Sequence, residues 1–480
     1  MLKDIIKKEI LDHLLSSKFV FMFIICSVLI LLSVYMGVGK YLEDKKIYDD
    51  DAAWDALAMQ PPNTYSILTQ GALKIYRAPR TLGALVKGVE DAAGRRSIAS
   101  NTEASLSESK YESNPMTAVF GAFDLIFIVK MVLSLFAILL IHDTICGERE
   151  KGTLKLSLAN SVPRDKLLIG KIIGGYVGLC IPLLLPLLLG LIYLSLHPGI
   201  ALTGEDWQRL GLILLMFLLY ISVFFFLGLL VSSLTMRSAT SLLVLLFIWS
   251  AWVIVLPKAS VIISGQLRPV PTTNEIYTQK ALASTQLSRE YGQIQAERMR
   301  EAGAQVFVNA AGALTGYSAS SQEQMSAIQK IMAELNLERA GKDDENNARI
   351  DRDYQLKKAA QTALAKNISR ISPASALTFG ATTLAGTGAD DYNRFWKAVM
   401  DYKPVVTEWV RTNQDLRNPS NNAYKEIDPA TIAGMPQPAT EPEKLNLTFV
   451  RILPDMISMV VMIVLLMGGA YFAFIRCDVR

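Results

Sequence analysis

A short run of alternating charges, from Glu148 to Lys151, has residue types and spacing that could do chemistry. Gly152 and Thr153 follow it directly. Glycine tolerates the left-handed conformation that ends many helices, and threonine is a good cap for the next helix. The run therefore predicts a compact polar surface on which acidic and basic side chains pair with one another. A solvated cluster that only sets the topology of the chain is an equally good interpretation.

Two ionisable residues lie in an apolar stretch long enough to cross a membrane. Lys130 falls near the middle of residues 117–141, and Asp124 lies six residues before it. A charge inside a bilayer costs about 2.5 to 3.5 kcal/mol on insertion scales, so both side chains are expected to face a polar cavity or a partner. Their spacing places them about 120° apart on a helix, which disfavours direct pairing. Lys130 is predicted to contact an anionic substrate headgroup or an acid of a second chain, with snorkelling or a structural bridge as the alternative.

Patterns for catalysis and nucleotide binding are absent from the sequence. It contains no GxxxxGK[ST] phosphate loop, no HExxH helix and no GxSxG turn. The chain has three histidines and four cysteines, and the cysteines show no CxxC spacing. The sequence therefore predicts no catalytic residue, no metal site and no cofactor bound by this chain.

The composition is that of a membrane protein. Hydrophobic residues make up 51% of the chain and charged residues 19%, with a mean hydropathy of +0.29. Soluble domains carry about 25% charged residues. The net charge of +4 creates no strong basic field, so nucleic acid is not an expected partner.

Six apolar stretches are long enough for a bilayer, which takes about 20 residues of helix. These predicted spans are 19–38, 117–141, 168–194, 210–231, 239–256 and 451–475. The predicted fold is an all-α polytopic membrane protein with six transmembrane helices. Residues 1–18 have apolar residues at helical spacing and predict an amphipathic helix in the cytoplasmic interface. The alternative is a soluble helix packed on a partner.

Lysine and arginine are unevenly distributed among the connections, and they resist translocation across the membrane. They occur in residues 1–18, 142–167, 232–238 and 476–480. These segments, with both chain termini, are predicted to be cytoplasmic. Three segments then fall outside: 39–116, 195–209 and 257–450.

The outer segment 257–450 has the composition of long exposed helices. Residues 274–300 and 321–368 contain almost no Gly or Pro and are rich in Ala, Gln, Glu, Lys and Leu. They predict an antiparallel helical hairpin with a break in its second helix at Gly341–Asp344. A buried stripe is expected at Met325, Ile328, Ile331, Met332, Leu335 and Leu337. The exterior domain is thus predicted to be mainly helical, with α+β as the alternative.

Glycines recur in the third predicted span. Gly170, Gly174 and Gly178 are four residues apart, a spacing that predicts close approach of another helix. Pro182 and Pro186 follow and predict kinks.

The loop between spans two and three resembles that of the permease subunits of type-2 ABC exporters, the ABC-2 family. The matching residues are Glu148-Arg149-Glu150-Lys151-Gly152-Thr153-Leu154, Pro163-Arg164 and Leu167-Leu168-Ile169-Gly170-Lys171. Outer segments resemble a subgroup with large exterior insertions, often labelled multicopper-enzyme-maturation or gliding-type permeases. These segments are residues 75–83, 88–90, 371–377 and 384–388.

The resemblance implies a division of labour between subunits. A separate ATP-binding cassette subunit, present in two copies, would hold ATP and Mg and hydrolyse ATP. Two permease chains, as a homodimer or a heterodimer, would form the pathway. The residues expected to couple the ATPase to spans two and three are Glu148, Arg149, Glu150, Lys151, Gly152, Thr153 and Arg164. The loop helix from Thr153 to Leu158, with Leu154, Leu156 and Leu158 along the membrane face, would dock into a groove on the ATPase.

The predicted function is the non-enzymatic permease subunit of an ATP-driven exporter in the bacterial cytoplasmic membrane. Its exterior domain is expected to meet an envelope partner, and lipid, lipopeptide and peptide all fit as cargo. Two other classes stay open. A membrane-anchored receptor or scaffold would usually carry a cytoplasmic output domain, and none is evident. An ion-coupled secondary transporter using Asp124 and Lys130 would usually show an internal repeat, and the sequence shows no convincing one.

Overall fold

The computed structural model of the chain is mainly helical. It describes residues 2–58, 73–89, 96–99, 104–107, 123–159, 163–308, 314–412 and 442–476. Residues 117–122 of predicted span two and residues 477–480 of the predicted tail lie outside this set. The chain divides into two compact units, Met1–Pro257 with Arg370–Arg480, and Lys258–Ser369.

The helices follow one another along the chain with few interruptions. In order they are α1 (Leu2–Leu14), α2 (Ser17–Ala58), α3 (Leu125–Phe127), α4 (Ser134–Ile141), α5 (Cys146–Glu150), α6 (Thr153–Ala159), α7 (Arg164–Leu196), α8 (Gly204–Leu234), α9 (Ser238–Ser250), α10 (Leu256–Leu267), α11 (Thr273–Glu301), α12 (Gln322–Ser369), α13 (Pro373–Ala385), α14 (Ala389–Thr412) and α15 (Leu445–Ile475). A π-helical turn at Ile128–Leu133 joins α3 to α4, and another at Ala251–Val255 joins α9 to α10. A short 3₁₀ helix covers Thr81–Ala84.

Within the part of the chain that the structure describes, six helical stretches are long and apolar enough to cross a membrane. They are Ser17–Trp54, Leu125–Glu150, Arg164–Leu196, Gly204–Leu234, Ser238–Leu267 and Leu445–Ile475. The predicted fold class, mainly helical with six long apolar helices, is confirmed. Helix α2 continues well past residue 38, where the predicted span ends, so the acidic residues that follow are helical too.

Helix α8 is the centre of the first unit. It is apolar around most of its circumference, which is typical of a helix surrounded by others. Phe217, Tyr220 and Phe225 on it are fully buried, and it packs against α4, α13 and α15. A capping box between Thr203 and Asp206 satisfies its first backbone donors and fixes where it begins.

Two segments from distant parts of the sequence meet at one end of the first unit. The Arg77 guanidinium donates to the Gly386 carbonyl at 2.6 Å, and the Val89 N–H donates to the Thr387 carbonyl at 3.0 Å. A Cβ atom on Gly88 would lie 1.9 Å from that Thr387 oxygen, so only glycine fits there. The described part of the first resembling segments, residues 75–89, therefore packs against residues 384–388.

The described strands form two small sheets. In the first unit, β1 (Leu73–Tyr76), β2 (Arg96–Ala99) and β3 (Ala104–Ser107) are antiparallel neighbours, in that order. Leu73 is opposite Ala99, and Arg96 is opposite Ser107. In the second unit, β4 (Gln305–Val308) and β5 (Leu314–Ser318) form an antiparallel pair with an irregularity at Phe307/Val308.

The second unit is built on an antiparallel pair of helices, α11 and α12. Lys280 pairs with Asp351 at 2.7 Å, and Gln295 bonds Asn336 at 3.2 Å. One residue number rises as the other falls, so the helices run in opposite directions. Small apolar clusters close the pair, one of which is Leu287, Tyr291 and Leu335. The predicted hairpin helices agree with the observed bounds to within a residue or so.

Two details predicted for this hairpin are wrong. Helix α12 runs without a break through Gly341–Asp344. Glycine costs about 1 kcal/mol in a helix interior, and packing of α12 against α11 outweighs that cost. In the predicted stripe, Ile328 and Leu335 are buried, whereas Met325 is 38% exposed and Leu337 is 78% exposed. Leu337 is two residues beyond Leu335, which turns its side chain to the opposite face of the helix.

Candidate functional site

The charged loop folds as two short helices, α5 and α6, joined at Gly152. Gly152 has a φ of 74°, the left-handed region that glycine enters without steric cost. The Thr153 hydroxyl donates back to the Glu148 carbonyl at 3.2 Å. The prediction that Gly152 ends one helix before the next begins is confirmed.

A buried lysine lies between two carboxylates beside this loop. The side chain of Lys171 on α7 is 2% exposed. Its ammonium lies 3.1 Å from Glu9 Oε1 on α1 and 2.7 Å from Glu148 Oε1 on α5. We call these three residues the buried triad. Since an uncompensated buried charge is costly, the triad holds three separate elements together.

Helix α1 lies along the glycine face of α7. The facing pairs are Gly170 with Ile5, Gly174 with Glu9 and Gly178 with His13. A Cβ atom on Gly174 would lie 2.5 Å from the Glu9 Cβ. The close approach predicted from the glycine spacing is confirmed, and the helix that makes it is α1.

Arg149 and Glu150 tie α5 to the connection between α8 and α9. The Arg149 guanidinium donates to the Thr235 carbonyl at 3.1 Å. The Ser238 N–H and hydroxyl donate to Glu150 Oε2 at 3.1 and 2.8 Å. The prediction of a self-paired surface is therefore wrong for Glu148, Arg149 and Glu150. Their partners lie on other elements because residues adjacent in a helix point in different directions.

Two further polar contacts connect the loop region to other helices. The Arg164 guanidinium donates to the Ile475 carbonyl at 2.7 Å, at the end of α15. Lys18 on α2 pairs with Asp143 at 2.6 Å, just before α5. The loop is thus fixed to the ends of several apolar helices by polar contacts.

The loop also has an exposed stretch where α5 ends and α6 begins. Lys151, Gly152, Thr153, Lys155 and Leu156 are exposed, and we call them the open face. Leu156 is 68% exposed and Leu154 only 1%. The prediction that both leucines lie along the same face is wrong, since residues two apart on a helix point to opposite sides. The side chain of Leu158 lies outside the described residues.

Asp124 is placed at the start of an apolar helix. It is the N-cap of α3, and its Oδ1 accepts from the Phe127 N–H at 2.9 Å. Its Oδ2 accepts from the Lys87 N–H at 3.0 Å. These bonds satisfy the carboxylate and fix the loop before the helix. A part for Asp124 in a transport pathway stays a prediction.

Lys130 lies in the π-helical turn between α3 and α4. Its carbonyl accepts from the Tyr220 hydroxyl at 2.7 Å and from the Ser134 hydroxyl. The Trp249 indole donates to the Ser134 hydroxyl at 2.8 Å. A π turn leaves a carbonyl without its usual helical donor, and such turns are frequent at functional sites. Lys130 and Asp124 form no hydrogen bond with each other, which agrees with the prediction from their spacing. The functional role of Lys130 stays a prediction.

The family model described as ABC-2 family transporter protein matches residues 4–479. The chain belongs to the ABC-2 family. No curated protein matches the sequence. An ABC-2 permease is the membrane component of its transporter and its non-catalytic subunit, and the family implies ATPase subunits as partners.

Sequence reasoning about this ABC-2 permease missed Glu9 and the role of Lys171 as its partner. Glu9 occurs in a lysine-rich amphipathic segment, where an acid is ordinary. Lys171 stands inside the apolar run that predicts span three, and that was the available signal, because an intramembrane lysine needs a partner. Among the residues that the structure describes in this permease, no group of three or more His, Cys, Asp or Glu side chains could hold a metal ion.

Proposed function

We propose that this ABC-2 permease couples ATP hydrolysis by a separate ATPase subunit to export of a substrate across the cytoplasmic membrane. The observation that carries the proposal is the buried triad of Glu9, Glu148 and Lys171. It joins the loop expected to meet the ATPase to the first turns of an apolar helix. A displacement of the loop is then passed to that helix.

The coupling proposal follows from the partners that the charged side chains of the loop contact. Glu148 reaches α1 and α7 through Lys171. Arg149 and Glu150 reach the connection between α8 and α9. Because each of these contacts would be lost if α5 moved alone, ATPase closure biases the helices as a set toward one of two arrangements.

The open face is proposed as the docking surface for the ATPase. It combines two exposed lysines with an exposed leucine, Leu156. An apolar side chain surrounded by charges is a common anchor in a protein interface. ATP and Mg would be held by that partner and not by this chain.

The remaining parts of the proposal concern topology and assembly. The basic segments support a topology with both termini in the cytoplasm. In that topology the helical hairpin of α11 and α12 would stand outside, available to an envelope partner. Two permease chains and two ATPase chains would form the transporter. The packing of residues 75–89 against 384–388 supports the likeness to permeases with large exterior insertions, because these are the outer segments that carry it.

Lys130 is proposed to face the substrate pathway and to contact an anionic group of the cargo. Its place in a π turn next to Tyr220 and Trp249 supports this, since a π turn and polar side chains inside an apolar helix are both uncommon. Transport by a Lys130→Met variant at the wild-type rate would remove this part of the proposal.

The test of the whole proposal is purification of the chain from native membranes in mild detergent. Mass spectrometry and an ATPase assay are then applied to whatever accompanies it. A stoichiometric cassette ATPase with activity is the expected result. A chain that arrives without an ATPase, or that holds only an envelope protein, would contradict the exporter and favour a receptor or scaffold.

A further inference from the structure

An apolar groove lies on the first unit, away from the buried triad. Its volume is about 180 Å³, and its walls come from α7, α8 and the residues around Leu85 and Leu125. On α7 the wall includes Leu187 and Leu191, and on α8 it runs from Trp207 to Phe217. The lining residues are aliphatic, aromatic or glycine, so the surface of the groove is almost wholly apolar.

Gly211 gives the groove its room. It is a lining residue on α8 and is exposed. A Cβ atom built on it would have no neighbour within 4 Å. The helix could therefore carry a larger side chain at this position without a clash, and such a side chain would occupy the space that is now open.

The length and position of the groove indicate what fills it. From Trp207 to Phe217 the helix rises about 15 Å, at 1.5 Å per residue. This equals about half of the 30 Å hydrocarbon core, the depth of one leaflet. Trp207 is 49% exposed at the end of the span, where tryptophan is typical of the boundary between headgroups and acyl chains.

We infer that this groove is a binding site for one acyl chain of a membrane lipid, from the leaflet at the Trp207 end. The bilayer around the first unit supplies acyl chains in excess, and an apolar groove excludes water. A chain seated between Leu187, Gly211 and Phe217 would bury apolar surface on both sides, which favours binding. This inference goes beyond the coupling proposal, since it needs only that α7 and α8 lie in a membrane.

The experiment uses the full chain in phosphatidylcholine nanodiscs. These contain a small fraction of phosphatidylcholine with a photoactivatable diazirine in the middle of one acyl chain. After irradiation and digestion, mass spectrometry locates the lipid adducts. Adducts are expected on the peptides that contain Leu187–Leu191 and Leu210–Phe217. In the Gly211→Phe variant these adducts should fall about tenfold. The ring would fill the space that the acyl chain occupies and cover the apolar surface that the chain would bury.

Gly468→Phe is the matched control. Gly468 is an exposed glycine on α15, and a Cβ atom there also has no neighbour within 4 Å. Groove adducts should stay at the wild-type amount in this variant. If Gly211→Phe does not fold, Gly211→Leu replaces it, with the same expected direction.

Two outcomes would overturn the inference. One is equal labelling of the groove peptides in wild type and in a folded Gly211 variant. The other is occupation of the groove by a second copy of the chain. For that case, a photoreactive residue at Leu214, which lines the groove, would give chain dimers on a gel in place of lipid adducts.

Discussion

The ammonium of Lys171 lies 3.1 Å from the carboxylate of Glu9, although the two residues are 162 positions apart in the sequence. Glu148 lies on the other side of the same ammonium, at 2.7 Å. One lysine thus compensates two carboxylates, and it does so where the N-terminal helix, the charged loop and an apolar helix meet. The first prediction rests on this imbalance.

Replacement of Lys171 by methionine should be strongly destabilising. It leaves the carboxylates of Glu9, whose side chain is 9% exposed, and Glu148, 26% exposed, without their shared cation. Removing one partner of a buried pair costs about 3–5 kcal/mol. Thermal unfolding in detergent should show a much lower midpoint, and ATPase-coupled transport should be lost.

The control for that variant is a neutral triad, with Glu9→Gln, Lys171→Met and Glu148→Gln together. It removes all three charges of the triad, so most of the stability should return. If the triad couples the ATPase to the helices, transport should stay low in the triple variant even though its stability is restored. Full transport in it would show that the triad acts only in folding.

Replacement of Gly174 by alanine should displace α1. The new Cβ would lie 2.5 Å from the Glu9 Cβ, closer than real contacts allow, and the neighbour there is the stem of a packed side chain. Hydrogen exchange of the α1 amides should become faster. The Gly468→Ala variant places the same methyl in open space and should leave α1 protected; equal exchange in both variants would contradict the packing described.

The two leucines of α6 should respond in opposite ways. Leu154 is 1% exposed, so Leu154→Ala should cost about 2–5 kcal/mol in stability. Leu156 is 68% exposed, so Leu156→Glu should leave stability nearly unchanged while weakening copurification of the ATPase. Wild-type binding of the ATPase by Leu156→Glu would show that the open face is not the docking surface.

Docking of α1 should weaken in acid because of His13. Burial lowers the pKa of His13 below its usual 6.5. Lys171 acts in the same direction, while Glu9, Asp143 and Asp12 oppose it. The undocked state then binds more protons than the docked state below about pH 6.5. Docking is therefore unaffected above that pH and is lost progressively as the pH falls through it.

Hydrogen exchange of α1 at pH 7.5 and pH 5.5, corrected for intrinsic rates, measures this loss. A His13→Gln variant cannot take up the proton and should show a smaller difference between the two pH values. A difference of the same size in both proteins would assign the effect to another group.

Replacement of Gly341 by alanine should stabilise α12 by about 0.5–1 kcal/mol, since glycine is a poor residue in a helix interior. A Cβ atom there meets nothing within 4 Å. Gly303→Ala is the opposing control, because Gly303 has a φ of 81° and alanine is strained in that region. The expected pattern is slower exchange of the α12 amides in the first variant. In the second, the amides in the last turn of α11, which ends just before Gly303, should exchange faster.

Local properties of the sequence were enough to predict where most of the long helices lie. The six apolar stretches and the two helices of the hairpin could be predicted because hydrophobic runs and helix-forming composition are set by neighbouring residues. The helix end at Gly152 was predictable for the same reason. The break expected at Gly341 was wrong because a local preference of about 1 kcal/mol yielded to packing against a second helix.

The sequence by itself determined that the chain is a polytopic membrane protein, that it carries a charged loop between two spans, and that its third span has a glycine face. Only the tertiary structure decided what these features contact. It brought Glu9 to Lys171, turned Leu154 inward and Leu156 outward, and placed Asp124 at a helix start. The physical reason is that a side chain's partner depends on the direction in which its helix faces and on which distant segment packs there, and neither is encoded in the residues next to it.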